Sequence, residues 1–197
     1  MHSPAPTPDA FAAAIAALGR EAFASELLAA LNRSVPVDHI CLMRVVDRAQ
    51  PPVLESASWR GGTRVAAVQS AYLKGLYRFD PNMNLPAPSG VEFRHLRRDA
   101  IGDEDYRENC FVRAELLERL TVAASDEGQL VLLNLYRFGT SGPFGAGELA
   151  AMEGLSRFLA ALAIKHVSAL GMLLRSRAST SGALDFRTLR RFSTWRR

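Results

Sequence analysis

The side chains most able to carry chemistry in this sequence are two cysteines, Cys41 and Cys110, and the histidines His39, His95 and His166. None falls into a spacing that chemistry requires. A nucleophilic serine would sit on a GxSxG elbow, and the chain contains none. Cys41 lies in the apolar run HICLMRVV, where a cysteine serves as a small core residue. His39-x-Cys41 sends two side chains to one strand face, but two ligands are not a metal site and the remaining His and Cys residues are scattered. His166 sits on the apolar stripe of a helix and reads as a core or interface histidine. The stretch GTSGPFGAG (residues 139–147) joins a strand to a helix and is rich in glycine. It matches neither phosphate-loop pattern, and Pro143 removes one N–H. It reads as a loop whose Phe144 staples onto the next helix. No catalytic residue, metal site or cofactor is expected.

A second group of residues points to binding. Tyr72, Tyr77, Phe79, Phe93, Tyr106 and Phe111 all fall in the middle of the chain, with Asp80 among them. The stretch GLYRFDPNMN (residues 75–84) ends a helix with more than a stop signal needs. Asp80 before Pro81 either caps a turn or offers a carboxylate to a ligand. On the run QLVLLNLYRF, alternation places Leu130, Leu132, Asn134, Tyr136 and Phe138 on one face. A buried Asn134 needs a partner, either loop backbone or a ligand. The candidate ligand-binding set is Tyr72, Tyr77, Phe79, Asp80, Phe93, Tyr106, Phe111, Asn134 and Tyr136.

The elements that must position these residues follow from periodicity and punctuation. Phe11, Ile15, Leu18, Phe23, Leu27, Leu28 and Leu31 repeat at helical spacing, with Gly19 as a bend or split. Residues 39–46 and 53–59 read as a strand hairpin. A helix from residue 63 carries Val65, Val68, Tyr72 and Leu76 on one face. Residues 91–96 read as a strand, 103–109 as a short helix and 113–119 as another. Strands over 120–124 and 129–138 flank the turn Asp126-Glu127-Gly128. A long helix over 148–176 closes the order. The expected fold is α+β: an antiparallel sheet of GAF/PAS type, with the N- and C-terminal helices on one face and the loop-rich segment 63–118 forming a pocket on the other.

Composition bounds the rest. At 197 residues, 48% hydrophobic and 22% charged, the chain has the make-up of a globular domain with an appendage. No apolar run approaches the roughly 18–20 residues of a membrane span, and the N-terminus lacks a signal-peptide pattern. A cytoplasmic location without membrane association is expected. The formal net charge of +4 is unevenly placed. Residues 171–197 hold seven Arg against one Asp, whereas the rest holds 17 basic and 19 acidic side chains. The tail could meet nucleic acid weakly, or act only as a solvated end. The expected divisions are a flexible segment at 1–9, a sensory domain at 10–176 and a basic tail at 177–197.

With these pieces in place, YLKGLYRFDP (72–81), RHLRRDAIGDEDYRENCFVRAELLERL (94–120) and QLVLLNLYRFGTSGPFGAGEL (129–149) resemble a family: the GAF-like N-terminal regulatory domains of LuxR-type helix-turn-helix transcription regulators. The resemblance implies a non-catalytic domain that binds a small effector, dimerises through its long helices and regulates transcription. In autoinducer-binding members an Asp-Pro follows an aromatic stretch, and its Asp binds the signal's amide. Asp80-Pro81 matches it, while Ala67 and Ala71 stand where a Trp and a Tyr are expected. The resemblance also implies a helix-turn-helix domain from near position 190, and this chain ends at Arg197. The expectation is a sensor module that acts as a homodimer, or a stand-alone module that modulates a full-length regulator by pairing with it.

Overall fold

The structure, a computed structural model, describes residues 8–59 and 62–181. The loose segment expected at the N-terminus, up to residue 7, and the basic tail from residue 182 lie outside the described residues. Five strands form one antiparallel sheet: β1 (His39–Val45), β2 (Val53–Ser58), β3 (Glu92–Arg97), β4 (Leu116–Asp126) and β5 (Gln129–Phe138). Their order across the sheet is β2-β1-β5-β4-β3. The β4–β5 hairpin turns on Glu127 (φ 49°) and Gly128 (φ 78°), between the paired Asp126 and Gln129. Two successive positive φ values match the sheet's twist, which explains the Glu-Gly signal.

The two sheet faces have separate cores. On one face Ile40, Leu42, Leu120, Val122, Leu133 and Leu135 pack against α1 (Ala12–Ala16), α2 (Phe23–Leu31) and α6 (Ala146–Ser181). The first helical stretch does split at Gly19, whose φ of 74° is the left-handed conformation glycine tolerates. Its N–H donates to Nδ1 of the buried His166 at 3.1 Å, so the split is anchored from α6. His166 is therefore a satisfied core histidine, as its place on the stripe implied.

On the other face Cys41, Met43, Leu130, Leu132 and Phe138 meet α3 (Gly62–Leu73), α4 (Pro81–Asn84), α5 (Glu104–Arg107) and the turns around them. Asp103 caps α5 by accepting the Tyr106 N–H at 2.7 Å. A π turn over Glu108–Val112 then brings Cys110 and Phe111 inward.

One expected element is absent. Residues 113–119 do not form a helix; β4 already begins at Leu116. AELLER favours a helix locally. As a strand it pairs with both β3 and β5, and its side chains sort cleanly: Glu118, Leu120 and Val122 to the helix layer, Arg119, Thr121 and Ala123 to the other face. Ladder hydrogen bonds on both edges and two buried faces override the local preference. The last helix also runs further than expected, to Ser181.

Candidate functional site

The site begins where α3 ends. Gly75 stops that helix, and a 3₁₀ turn over Leu76–Phe79 leads into Asp80. Asp80 caps α4: it accepts the Asn82 N–H at 2.9 Å, with Pro81 supplying the preset first helical φ. The turn reading of Asp-Pro is thus realised. The carboxylate does more than cap. Arg119 reaches it from β4 as a fork, Nη1 to Oδ2 and Nη2 to Oδ1, both at 2.9 Å. The Tyr72 hydroxyl donates to Oδ2 at 3.0 Å from α3. Each oxygen therefore accepts two hydrogen bonds, which fills the acceptor capacity of a carboxylate. Arg119 Nη1 also donates to the Tyr106 hydroxyl at 3.0 Å.

Asp80 and Arg119 are 0% and 1% exposed, so the pair has left water entirely. Burial pushes the Asp80 carboxyl up. The Arg119 charge, its hydrogen bonds and the Asn82 N–H outweigh that, and the carboxyl lies below its ordinary range. Burial disfavours the Arg119 charge, but Asp80 more than compensates. Both groups are ionised.

A second chain of polar groups runs beside the first. Arg94 Nη1 donates to Asn82 Oδ1, Asn82 Nδ2 to Thr121 Oγ1, and Thr121 Oγ1 to Asn134 Oδ1. Asn134 thus meets a threonine hydroxyl rather than loop backbone. Among the described residues, three buried side-chain nitrogens have no hydrogen-bond partner: Gln69 Nε2, Arg119 Nε and Asn134 Nδ2.

Beside this network lies a cavity of about 40 Å³, room for about three waters. Its floor is His39, Cys41 and Tyr136 of the sheet, its roof Val68, Gln69 and Tyr72 of α3, and its wall Tyr106, Cys110 and Phe111. Burial, offset by a hydrogen bond with the Ala57 backbone, brings the His39 pKa down to about 3, so the imidazole is neutral. Burial pushes the thiols of Cys41 and Cys110 up to about 12. A thiol of that kind is a poor nucleophile. Accordingly, a disulfide reagent at pH near 8 is expected to leave both cysteines unmodified in the folded chain and to label both in denaturant. Rapid labelling of Cys110 in the folded state would show an activated thiol and count against a non-catalytic site.

Four of the nine candidate ligand residues, Tyr72, Tyr106, Phe111 and Tyr136, come together around the cavity. Asp80 and Asn134 sit in the networks beside it. Tyr77 is buried but sends its hydroxyl to the Ala49 carbonyl of the β1–β2 turn. Phe79 is 50% exposed, and Phe93 packs on the opposite, helix-covered face. These three are not brought to the cavity. A single 3₁₀ turn faces successive side chains in different directions, and alternation on β3 sends Phe93 away from Arg94. The residues missed in the sequence are Arg119, Thr121, Asn82 and Gln69. For Arg119 and Thr121 the signal was present, in the alternation of ERLTVAA.

No protein-family model matches this chain, and no curated protein matches it. Solved structures do. The ligand-binding domain of VqsR from Pseudomonas aeruginosa superposes with a TM-score of 0.62 at 21% identity, covering 81% of this chain and 95% of that one. CepR2 from Burkholderia cenocepacia, an N-acylhomoserine lactone-dependent LuxR-family transcription factor, superposes with a TM-score of 0.61 at 19% identity, covering 82% and 92%. The fold is therefore that of LuxR-type regulatory domains, in agreement with the resemblance seen in the sequence. Identities this low establish the fold alone.

Proposed function

We propose that the chain is the ligand-responsive regulatory module of a LuxR-type transcription regulator, non-catalytic, cytoplasmic and dimerising through its long helices. The observation that carries this reading is the aromatic-lined cavity between the sheet and α3, on the face covered by α3 and the short helices and turns after it. Tyr72, Tyr106, Phe111 and Tyr136 are the contacts proposed for an effector. The raised thiols support a role without catalysis. No helix among the described residues is long and apolar enough to cross a membrane. The 36 residues of α6 span about 54 Å, more than the sheet beneath it requires, and the surplus suits pairing with a second subunit.

Native mass spectrometry against the denatured mass tests the reading. Extra mass per subunit, lost on denaturation, would identify a bound effector. A dimer that stays empty after exposure to cell extract would count against it.

One observation favours a second reading, a protein-interaction module that pairs with a full-length regulator. Asp80 is saturated from within and the cavity is small, as in a pocket filled by its own side chains. Glu153, Arg157, Ala161 and Lys165 form an exposed stripe at helical spacing on α6. Under this reading the double change Arg157→Glu with Lys165→Glu abolishes association, and no effector alters it.

A further inference from the structure

We propose that the cavity takes a gas-sized apolar molecule, such as a short hydrocarbon, with no polar head group. The Asp80–Arg119 pair secures this by holding the tyrosine hydroxyls away from the cavity. The inference rests on the ligand-binding reading above and adds the chemistry and size of the ligand.

Three observations carry it. The first is where the tyrosine hydroxyls go. Tyr72, Tyr106 and Tyr136 line the cavity, whereas Asp80 and Arg119 do not. The Tyr72 hydroxyl donates to Asp80, and Arg119 donates to the hydroxyls of Tyr106 and Tyr136. The buried pair thus takes all three hydroxyls and leaves ring carbons as the cavity wall. With Phe111 the rings form one arc. Centroids lie 6.4 Å apart from Tyr72 to Tyr106, 5.9 Å from Tyr106 to Phe111 and 6.3 Å from Phe111 to Tyr136.

The second is the rest of the lining. Met43, Leu54, Val65, Val68 and Leu116 supply its aliphatic part, and no Asp, Glu, Lys or Arg belongs to it. His39 is uncharged, with Nδ1 engaged by the Ser58 hydroxyl at 2.7 Å, and both thiols are protonated. Gln69 is the remaining polar side chain, and its one amide carries a donor and an acceptor together. A polar head group entering here would exchange its water for that single amide, which is unfavourable. An apolar molecule has no hydrogen bonds to replace.

The third is size. The cavity measures about 40 Å³. An apolar cavity of about 150 Å³ holds benzene, so this one has room for about two heavy atoms. Water fits the same space, but Gln69 alone does not supply the roughly two to four polar partners that an ordered water needs.

The test uses xenon, ethane and methanol, the last two matched in size and differing by a hydroxyl. Each is titrated, the gases under pressure, into the full chain labelled with carbon-13 at its Met, Val and Leu methyls. Xenon and ethane are expected to give saturable shifts at Met43, Leu54, Val65 and Val68. Ethane is expected to bind at least about tenfold more tightly than methanol, whose hydroxyl would be buried unpaired. Val68→Phe, which fills the cavity from the roof, is expected to abolish the shifts at Met43, Leu54 and Val65. Gln69→Leu is expected to leave xenon affinity unchanged or to raise it. Methanol binding as tightly as ethane, or loss of xenon binding in Gln69→Leu, overturns the inference and leaves the ligand-binding reading standing. A polar metabolite captured in native mass spectrometry does the same. Shifts that survive in a folded Val68→Phe put the probes elsewhere and overturn it as well. Silence with all three probes overturns the inference. A gas-sized molecule escapes on desolvation, so an empty chain in native mass spectrometry removes the ligand-binding reading when the probes are silent too.

Discussion

Replacing Arg119 by methionine is expected to destabilise the chain by about 3–5 kcal/mol, the loss typical of leaving one member of a buried ion pair alone. Asp80 would remain fully buried with its carboxylate facing an apolar side chain. The Asn82 N–H and Tyr72 hydroxyl would remain its partners, but no cation would. Urea unfolding of the two chains checks the size of the effect. The double variant Asp80→Asn with Arg119→Met removes both charges together and is expected to recover most of the loss. A single variant that unfolds at the parent's midpoint would show that the pair does not hold the roof to the sheet.

The same pair sets a pH dependence whose sign can be worked out. The Asp80 carboxyl is lower in the folded chain than in the unfolded one, because Arg119 and the hydrogen bonds outweigh burial. Its stabilising contribution is therefore complete above the unfolded value, near 4. It is lost as pH falls through the lower folded value. In Arg119→Met burial acts without the opposing cation, so protonation of Asp80 relieves the variant. The gap between the two chains is expected to narrow as pH falls, first above about 4 as the variant's raised Asp80 carboxyl takes up its proton and then below about 4 as the parent loses its own contribution, and a gap independent of pH would exclude Asp80 as its source.

The second large effect is expected at Phe23. Its ring is fully buried and stacks on the His166 imidazole, centroids 4.1 Å apart and planes at 13°. His166 Nδ1 accepts the Gly19 N–H, so the proton rests on Nε2 and is donated to Glu55 at 2.7 Å. The other Glu55 oxygen accepts the Ala24 N–H at 3.1 Å. One ring thus packs against the group that ties α6 to the α1–α2 turn and to β2. Phe23→Ala is expected to cost about 3–5 kcal/mol, the range for a large aromatic removed from a core. Ile15, 45% exposed on the neighbouring helix, is the control: Ile15→Ala is expected to stay within about 0.5 kcal/mol. A Phe23 effect as small as that of Ile15 would mean that the helix layer closes over the cavity.

The architecture was legible wherever one strong period ran without competition. β5 reads over the same ten residues in sequence and structure, because each face of QLVLLNLYRF meets its own core. The Gly19 split and the Asp126–Gln129 hairpin were legible because glycine marks backbone that other residues resist. The start of β4 was not, since AELLER satisfies a helical pattern until β3 and β5 are placed beside it. That error concealed Arg119. Read as a helical surface residue, an arginine needs no partner; in a central strand it must find one, and Asp80 is that partner. The aromatics divided for a similar reason. Composition collects Phe79 and Phe93 with Tyr72 and Tyr106, but only the pleat and the turn decide which way each ring faces.

The strand order has a consequence for the time course of folding. β1–β2 and β4–β5 are hairpins whose partners lie close in the chain, and each can close locally within microseconds. The seam joining them, β1 against β5, pairs residues separated by the whole segment 46–128. That closure must bear its loop entropy before contacts reward it, so the seam is expected to govern the folding rate. The roof over the cavity docks on both sides of the seam, through Cys41 and Met43 of β1 and Leu130 and Leu132 of β5. It has no surface to settle on until the seam exists. In refolding experiments fluorescence from Tyr72 of the roof and Tyr106 of the wall should therefore change no earlier than the slow phase.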